Sequence, residues 1–185
     1  MKIESTDIEG AELIHLDVKN DERGSFIKPF SKTDTKMNRL MRNVEEIFYS
    51  TSSKGVIRGM HFQVPPFAQR KLVNVIEGRI LDVVLDIRRN SRTYGKFISV
   101  QLAENDGICL YISYGLAHGF LSVSERATVL YIVDKKYVPQ YESGIRYDSF
   151  GFEWDLKSPP ILSKRDQSFI QFENFISPFG ADENE

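Results

Sequence analysis

Residues 71–86 read KLVNVIEGRILDVVLD. Two runs rich in Val, Ile and Leu, Lys71–Glu77 and Arg79–Asp86, meet at Glu77-Gly78, which is turn chemistry between two strands. Outward from this pair the pattern recurs at Glu45–Thr51, Val56–Phe62, Lys96–Leu102, Ile108–Ser113, Gly119–Ser122 and Ala127–Asp134, with a weaker alternation at Glu12–Val18. Ser-Lys-Gly at 53–55, Asn-Asp-Gly at 105–107, Tyr-Gly at 114–115 and the turn-like Asp21–Gly24 punctuate the runs. Helical turns are expected only within Ser31–Asn43 and Lys164–Phe175. So many short strands predict a mainly β, antiparallel sandwich or barrel rather than a βαβ fold. An eight-strand jelly roll fits the count, and the count alone leaves an immunoglobulin-like sandwich level with it.

No linker, repeat or low-complexity tract divides the 185 residues, so a single domain is expected over 1–185, with the acidic tail Ala181–Glu185 disordered. Lys and Arg total 24 against 26 Asp and Glu, which lacks the basic excess of a nucleic-acid binder. No apolar run approaches the roughly 20 residues that span a bilayer, so no membrane partner is expected. The segment after Met1 lacks the apolar core of a signal peptide, and the lone Cys109 forms no intramolecular disulfide, so a cytoplasmic location is expected. Cys109 sits in an apolar strand, where a buried, unreactive thiol is the default. Phosphate-binding glycine motifs are missing, and Gly115–Gly119 (GLAHG) lacks dinucleotide-fold spacing. The three histidines, His15, His61 and His118, show no paired metal-ligand spacing, so no metal is expected.

On a strand, residues of one parity share a face. His61 and Gln63 then share a face with Ile57 and Gly59, with Arg58 opposite beside Met60 and Phe62. Lys71 aligns with Val73 and Val75, and Tyr131 with Val129 and Val133. Taken singly, each has an ordinary explanation: a strand-end lysine reaches solvent, and a tyrosine among valines packs its ring and satisfies its hydroxyl. Only convergence of His61, Lys71 and Tyr131 in one barrel would give them a shared chemical purpose.

Read together, Gly55–Gln63 (GVIRGMHFQ), Pro65–Val73 (PPFAQRKLV), Asp82–Gly95 (DVVLDIRRNSRTYG), Gly115–Leu121 (GLAHGFL), Tyr137–Glu142 (YVPQYE), Gly144–Asp148 (GIRYD) and Pro160–Asp166 (PILSKRD) resemble the nucleotide-sugar 3,5-epimerases typified by dTDP-4-dehydrorhamnose 3,5-epimerase. The resemblance runs from about Asp21 to Asp166. It implies a cupin-type antiparallel jelly roll with short helices, a strand-exchanging homodimer, no metal or other cofactor, and a nucleotide-diphosphate keto-deoxysugar as substrate. It places the general base on His61, its carboxylate partner on Asp166, a lysine beside the substrate carbonyl on Lys71 and the opposite-face acid on Tyr131. Substrate contacts fall on Arg58 (phosphate), His118 (phosphates or sugar), Tyr137 (stacking on the base), Glu142 and Arg165, with Arg23 donated by the other subunit. The residue types suit the chemistry. Carbons 3 and 5 of a 4-keto sugar are both acidified by the ketone, a histidine titrates near neutral pH, and a cation can stabilise the enolate oxygen.

The chain departs from the family pattern at Lys28, where a glutamate is typical, at Glu46-Ile47-Phe48, where Gln-Asp-Asn is common, and at Arg70, which replaces a small residue. These changes fall at nucleotide-holding positions and open the reading to cytidine, uridine or guanosine diphosphate sugars. The alternatives to a double epimerase are a single-centre epimerase, a keto-sugar isomerase on a related scaffold, and a non-enzymatic sugar-binding jelly roll.

Overall fold

The computed structural model describes residues 1–180; the expectation for the acidic tail falls on residues 181–185, outside the described residues. In chain order the strands are β1 (Lys2–Ser5), β2 (Ala11–His15), β3 (Val18–Asp21), β4 (Gly24–Ile27), β5 (Glu46–Ser53), β6 (Ile57–Gln63), β7 (Lys71–Glu77), β8 (Arg79–Asp86), β9 (Phe97–Ala103), β10 (Ile108–Ile112), β11 (Leu116–Ser122), β12 (Arg126–Val133) and β13 (Glu142–Gly144). Two short helices, α1 (Thr35–Leu40) and α2 (Lys164–Gln167), complete the regular structure with two 3₁₀ turns. The strands form a six-stranded sheet, β1-β2-β10-β7-β12-β5, a five-stranded sheet, β13-β6-β11-β8-β9, and the hairpin β3-β4. From β5 to β8, and again from β9 to β12, the chain changes sheet at every step. That repeated crossing makes a jelly roll and removes the immunoglobulin-like alternative.

Alternation of side chains builds three apolar layers. Between the sheets lie Val73, Val75, Leu110 and Ile112 from one side and Ile80, Val84, Leu116 and Phe120 from the other, joined by Val129 and Tyr131. The outer face of the five-stranded sheet, including Met60, Phe62, Val83 and Leu85, is covered by Phe150, Trp154 and Phe179 of the C-terminal segment. On the outer face of the six-stranded sheet, Ile14, Leu72, Cys109 and Ile132 meet Met37 of α1 and the following Met41. Each fully buried side chain of this kind stabilises the fold by about 1.5–3 kcal/mol before entropy is counted. Asp34 caps α1, its carboxylate accepting from the backbone N–H groups of Lys36 and Met37 at 3.0 Å each.

The structure corrects four local expectations. Glu12–Val18 divides between β2 and β3, and the strand expected at Gly119 begins at Leu116. The stretch Lys164–Phe175 is not one helix, because the chain extends after α2 so that Ile170 bridges Ile145, with a 3₁₀ turn only at Phe172–Asn174. The fourth correction decides the site: Arg58 is not opposite His61. Along β6 and β11, His61 pairs with His118 but Arg58 pairs with Phe120, so three steps on one strand face two on the other. This bulge reverses the parity. Arg58 and His61 both face the inter-sheet cavity, while Ile57, Met60 and Phe62 pack outward.

Two glycines permit the bulge. Gly59 has φ +139°, and a Cβ there would lie 2.4 Å from Gly119 Cα; a Cβ on Gly119 would lie 2.9 Å from the Arg58 carbonyl oxygen. Replacing Gly119 by Ala therefore forces the two strands apart. Urea unfolding of Gly119→Ala is expected to show a loss of about 1–3 kcal/mol, the usual cost of overpacking; a midpoint equal to that of the parent protein would show that the bulge tolerates a side chain.

Candidate active site

One end of the space between the sheets opens as a cavity of about 540 Å³. Arg58, His61, Lys71, His118, Tyr131, Tyr137, Glu142 and Arg165 all line it. Asp166 lies immediately behind His61, and Arg23 is elsewhere. The convergence that parity alone leaves open is present. His61 projects from β6 and His118 from its direct partner position on β11, both on the five-stranded wall. Lys71 and Tyr131 project from neighbouring strands of the six-stranded wall, where Tyr131 pairs with Val73 and Lys71 with Val133.

His61 Nε2 donates to Asp166 Oδ1 at 3.0 Å. The same carboxylate accepts the Ser163 hydroxyl at 2.7 Å on Oδ1 and the Gly59 N–H at 3.2 Å on Oδ2. Ser163 caps α2, and its Oγ also accepts the Asp166 N–H at 3.0 Å, so the helix start that carries Asp166 is itself held in place. Burial works to raise the Asp166 carboxyl, but the bond and charge of His61, with Ser163 and Gly59, outweigh it and hold the group at about 2. On His61, burial pulls the imidazole below its usual 6.5, Asp166 pushes back, and the Lys71 and Arg165 charges add to the lowering. The ring is therefore neutral at neutral pH, with Nε2–H committed to Asp166 and the lone pair on Nδ1.

Burial brings the Lys71 ammonium down to about 8, against the opposing charges of Glu142 and Asp82. Its Nζ lies 3.5 Å from the His61 carbonyl oxygen. Burial and the charge of Asp82 push the Tyr131 phenol up, against the Ser50 hydroxyl and the Arg58 charge, so it keeps its proton at neutral pH. The Tyr131 ring is stacked on Phe48, with centroids 4.9 Å apart and planes 18° from parallel, and meets the edge of His118 at 6.2 Å. Arg58 donates from Nε to Ser52 Oγ at 2.9 Å and from Nη2 to the Thr51 carbonyl at 3.1 Å, which anchors its cation on β5. At the mouth, Glu142 accepts from both the Tyr137 hydroxyl and Arg165. The Tyr137 backbone N–H is held by Glu46 Oε1 at 3.1 Å, and the next N–H, on Val138, by Gln63 Oε1 at 2.7 Å.

Two participants escaped the sequence reading. Asp82 is buried beneath His118, whose Nε2 lies 2.9 Å from each of its carboxylate oxygens. Its signal was present: in RILDVVLD it shares parity with the core residues Ile80 and Val84, an acid on an apolar face. Ser163 gave no signal beyond its place three residues before Asp166, the spacing of a helix cap. Among the departures from the family pattern, Glu46, Ile47 and Phe48 line the cavity mouth. Arg70 turns away, donating to the Tyr114 hydroxyl at 2.7 Å and approaching Asp134 at 3.4 Å. Lys28 is exposed outside the cavity, as is Arg23, which pairs with Asp21 at the turn of the β3-β4 hairpin. Among the described residues, no group of three or more His, Cys, Asp or Glu side chains is placed to hold a metal ion, and no helix is long and apolar enough to cross a membrane.

Residues 5–174 match the family model for dTDP-4-dehydrorhamnose 3,5-epimerase. The chain belongs to this family. A dTDP-4-dehydrorhamnose 3,5-epimerase of Methanothermobacter thermautotrophicus is 38% identical over 168 residues, covering 89% of this chain and 90% of the relative. The Shigella flexneri enzyme of the same name is 35% identical, covering 95% of this chain and 100% of its own length. Among solved structures, a Legionella pneumophila dTDP-6-deoxy-D-glucose-3,5-epimerase in complex with dTDP-4-keto-L-rhamnose superposes with a TM-score of 0.88 at 30% identity, over 95% of this chain and 94% of that one. The protein is thus an isomerase of the epimerase class on the cupin-type jelly roll expected from the sequence.

The Asp166–His61 pair makes this 3,5-epimerase family member acid-sensitive. The Asp166 carboxyl lies near 2 when folded and 3.8 when free, so the unfolded chain takes up more protons between those values. The lowered His61 works in the same direction below 6.5. Both contributions are complete at neutral pH and are lost as pH falls. Asp166→Asn is expected to cost stability on the order of 2–3 kcal/mol at pH 7, with the gap from the parent narrowing as pH drops from 5 towards 2. Urea unfolding at several pH values measures this, and a gap independent of pH would contradict the ionic role of Asp166.

Proposed function

We propose that this protein inverts the carbons flanking the ketone of a nucleotide-diphospho-4-keto-6-deoxysugar, at C3 and C5, with His61 as base and Tyr131 as acid. The observation that carries the reading is a neutral imidazole held by a buried carboxylate on one wall of a cavity whose opposite wall presents a protonated phenol and an ammonium. His61 takes the proton from the carbon next to the ketone. The C–H electron pair becomes the enolate C=C bond, and the carbonyl π pair moves onto oxygen, stabilised by the Lys71 ammonium. When the pair returns to carbon from the other face, it takes the Tyr131 phenol proton, which inverts the centre. His61 is left protonated and Tyr131 as phenolate; proton exchange with water resets both. Asp166 stabilises the imidazolium and keeps Nε2–H pointed at itself, so Nδ1 is the basic atom.

Arg58, His118 and Arg165 supply cations or donors for a diphosphate and sugar, and Tyr137, exposed and held to Glu142, is available to stack on a base. The names of the relatives favour a dTDP-linked sugar as the first substrate. Glu46-Ile47-Phe48 at the cavity mouth favours a second reading, in which the nucleotide is not thymidine or only one centre is inverted. Arg23, 86% exposed on its hairpin and outside the cavity, suits donation to the site of a second copy in a homodimer. A free thiol at Cys109 and a nucleotide-sugar substrate fit a cytoplasmic enzyme.

Incubation in D₂O with dTDP-, CDP-, UDP- and GDP-linked 4-keto-6-deoxysugars is expected to place deuterium at C3 and C5 of one of them, and His61→Ala to abolish exchange with nucleotide affinity within about tenfold. Absence of exchange with all four, or undiminished exchange in His61→Ala, would overturn the assignment. In its substrate, kcat/KM should fall on the acid side below pH 6.5 as His61 is protonated, and on the alkaline side near 8 as Lys71 loses its charge. A profile flat to pH 10 would remove the Lys71 cation from the reaction.

A further inference from the structure

Phe48 occupies an edge strand yet is committed to one neighbour. It stands directly across from Tyr131 in the register of β5 and β12, and the two rings stack nearly parallel. The phenol also makes a T-shaped contact, centroids 6.2 Å apart, with the buried His118, whose Nε2 lies 2.9 Å from both carboxylate oxygens of Asp82. Tyr131 thus has two aromatic neighbours, one stacked and one T-shaped, and the stacked plane restricts rotation of its ring on the six-stranded wall. Of the two neighbours Phe48 is the accessible one: it is 43% exposed on the edge strand, whereas His118 is 4% exposed in the centre of a sheet. Nothing else in the described residues is stacked on the phenol ring.

We propose that Phe48 is a positioning residue that sets how efficiently Tyr131 returns a proton from the face opposite His61, and thereby the ratio of inversion to simple exchange. The inference rests on the epimerase reading above. Removing the outer plane frees the Tyr131 ring to rotate while leaving the base side, His61 with Asp166, untouched. The enolate still forms. With the phenol misplaced, the electron pair returns to carbon by taking a proton from His61 on the face it left, and the centre is retained. His61 keeps 22% of its side-chain exposure, so its proton exchanges with solvent and the retained centre still gains deuterium.

The test follows wild type, Phe48→Ala, Phe48→Leu and Phe48→Tyr in D₂O with the substrate that wild type accepts, scoring deuterium at each carbon and the fraction of those carbons inverted, with melting temperature as a check on folding. At saturating substrate, the inverted fraction per exchanged carbon is expected to fall about tenfold or more in Phe48→Ala and Phe48→Leu, whatever their loss of nucleotide affinity, and to be restored in Phe48→Tyr. Phe48→Leu retains apolar bulk and strand propensity, so it reports even if the alanine variant unfolds. An unchanged inverted fraction in folded Phe48→Leu would overturn the inference, as would an equal loss of exchange and inversion. A wild type that inverts and exchanges keeps the epimerase reading standing in either case; a wild type that does neither removes both.

Discussion

A carboxylate buried to the extent of Asp166 persists as an anion only if donors replace the water it has lost. Three do so, and each ties down a different part of the fold. The Ser163 hydroxyl fixes the start of α2, the Gly59 N–H fixes the bulge in β6, and His61 Nε2–H fixes the imidazole. The bulge is what brings Arg58 and His61 onto one face. Asp166 is therefore bonded to the distortion that assembles the cavity as well as to the imidazole that lines it. Removing the carboxylate would leave three donors unpaired at once.

The rest of the cavity is an arrangement of charge by burial. His61 is kept neutral, Lys71 is kept close to neutrality but still cationic at pH 7, and the Tyr131 phenol is kept protonated. The proposed acid and base are consequently both in the protonation states their roles require at the same pH, on opposite walls. Burial also pushes up the Asp82 carboxyl, against the charges of His118 and Lys71, so Asp82 and His118 form a second carboxylate–imidazole pair only one strand away from the first. The two histidines differ in access: His61 reaches the cavity with part of its surface, and His118 is held by both oxygens of its partner and almost wholly buried.

Much of this was legible from the chain alone. β7 and β8 begin and end where the Val- and Ile-rich runs and the Glu-Gly turn put them, and Lys71 and Tyr131 face the core as their parity requires. Short elements were not legible: β1, β4 and β13 have three or four residues each, too few for a period of two to register. The parity of Arg58 was misread because a bulge adds a residue without changing composition; its trace is the pair of facing glycines, 59 and 119, which only the strand pairing makes meaningful. Arg70 shows the converse. It departs from the family pattern just before Lys71, yet it precedes the first residue of β7, lies outside the cavity lining and bonds Tyr114 and Asp134 instead.

His61 rests as a neutral ring, protonated on Nε2 by commitment to Asp166, with its lone pair on Nδ1. Long-range ¹H–¹⁵N correlation NMR of the uniformly ¹⁵N-labelled protein reads the tautomer directly, with His61→Ala assigning the signal. At pH 7 His61 is expected to show a protonated, pyrrole-like Nε2 and a bare, pyridine-like Nδ1, and Asp166→Asn to abolish that fixed preference. An Nδ1-protonated ring, or a ring doubly protonated at pH 7, would contradict it.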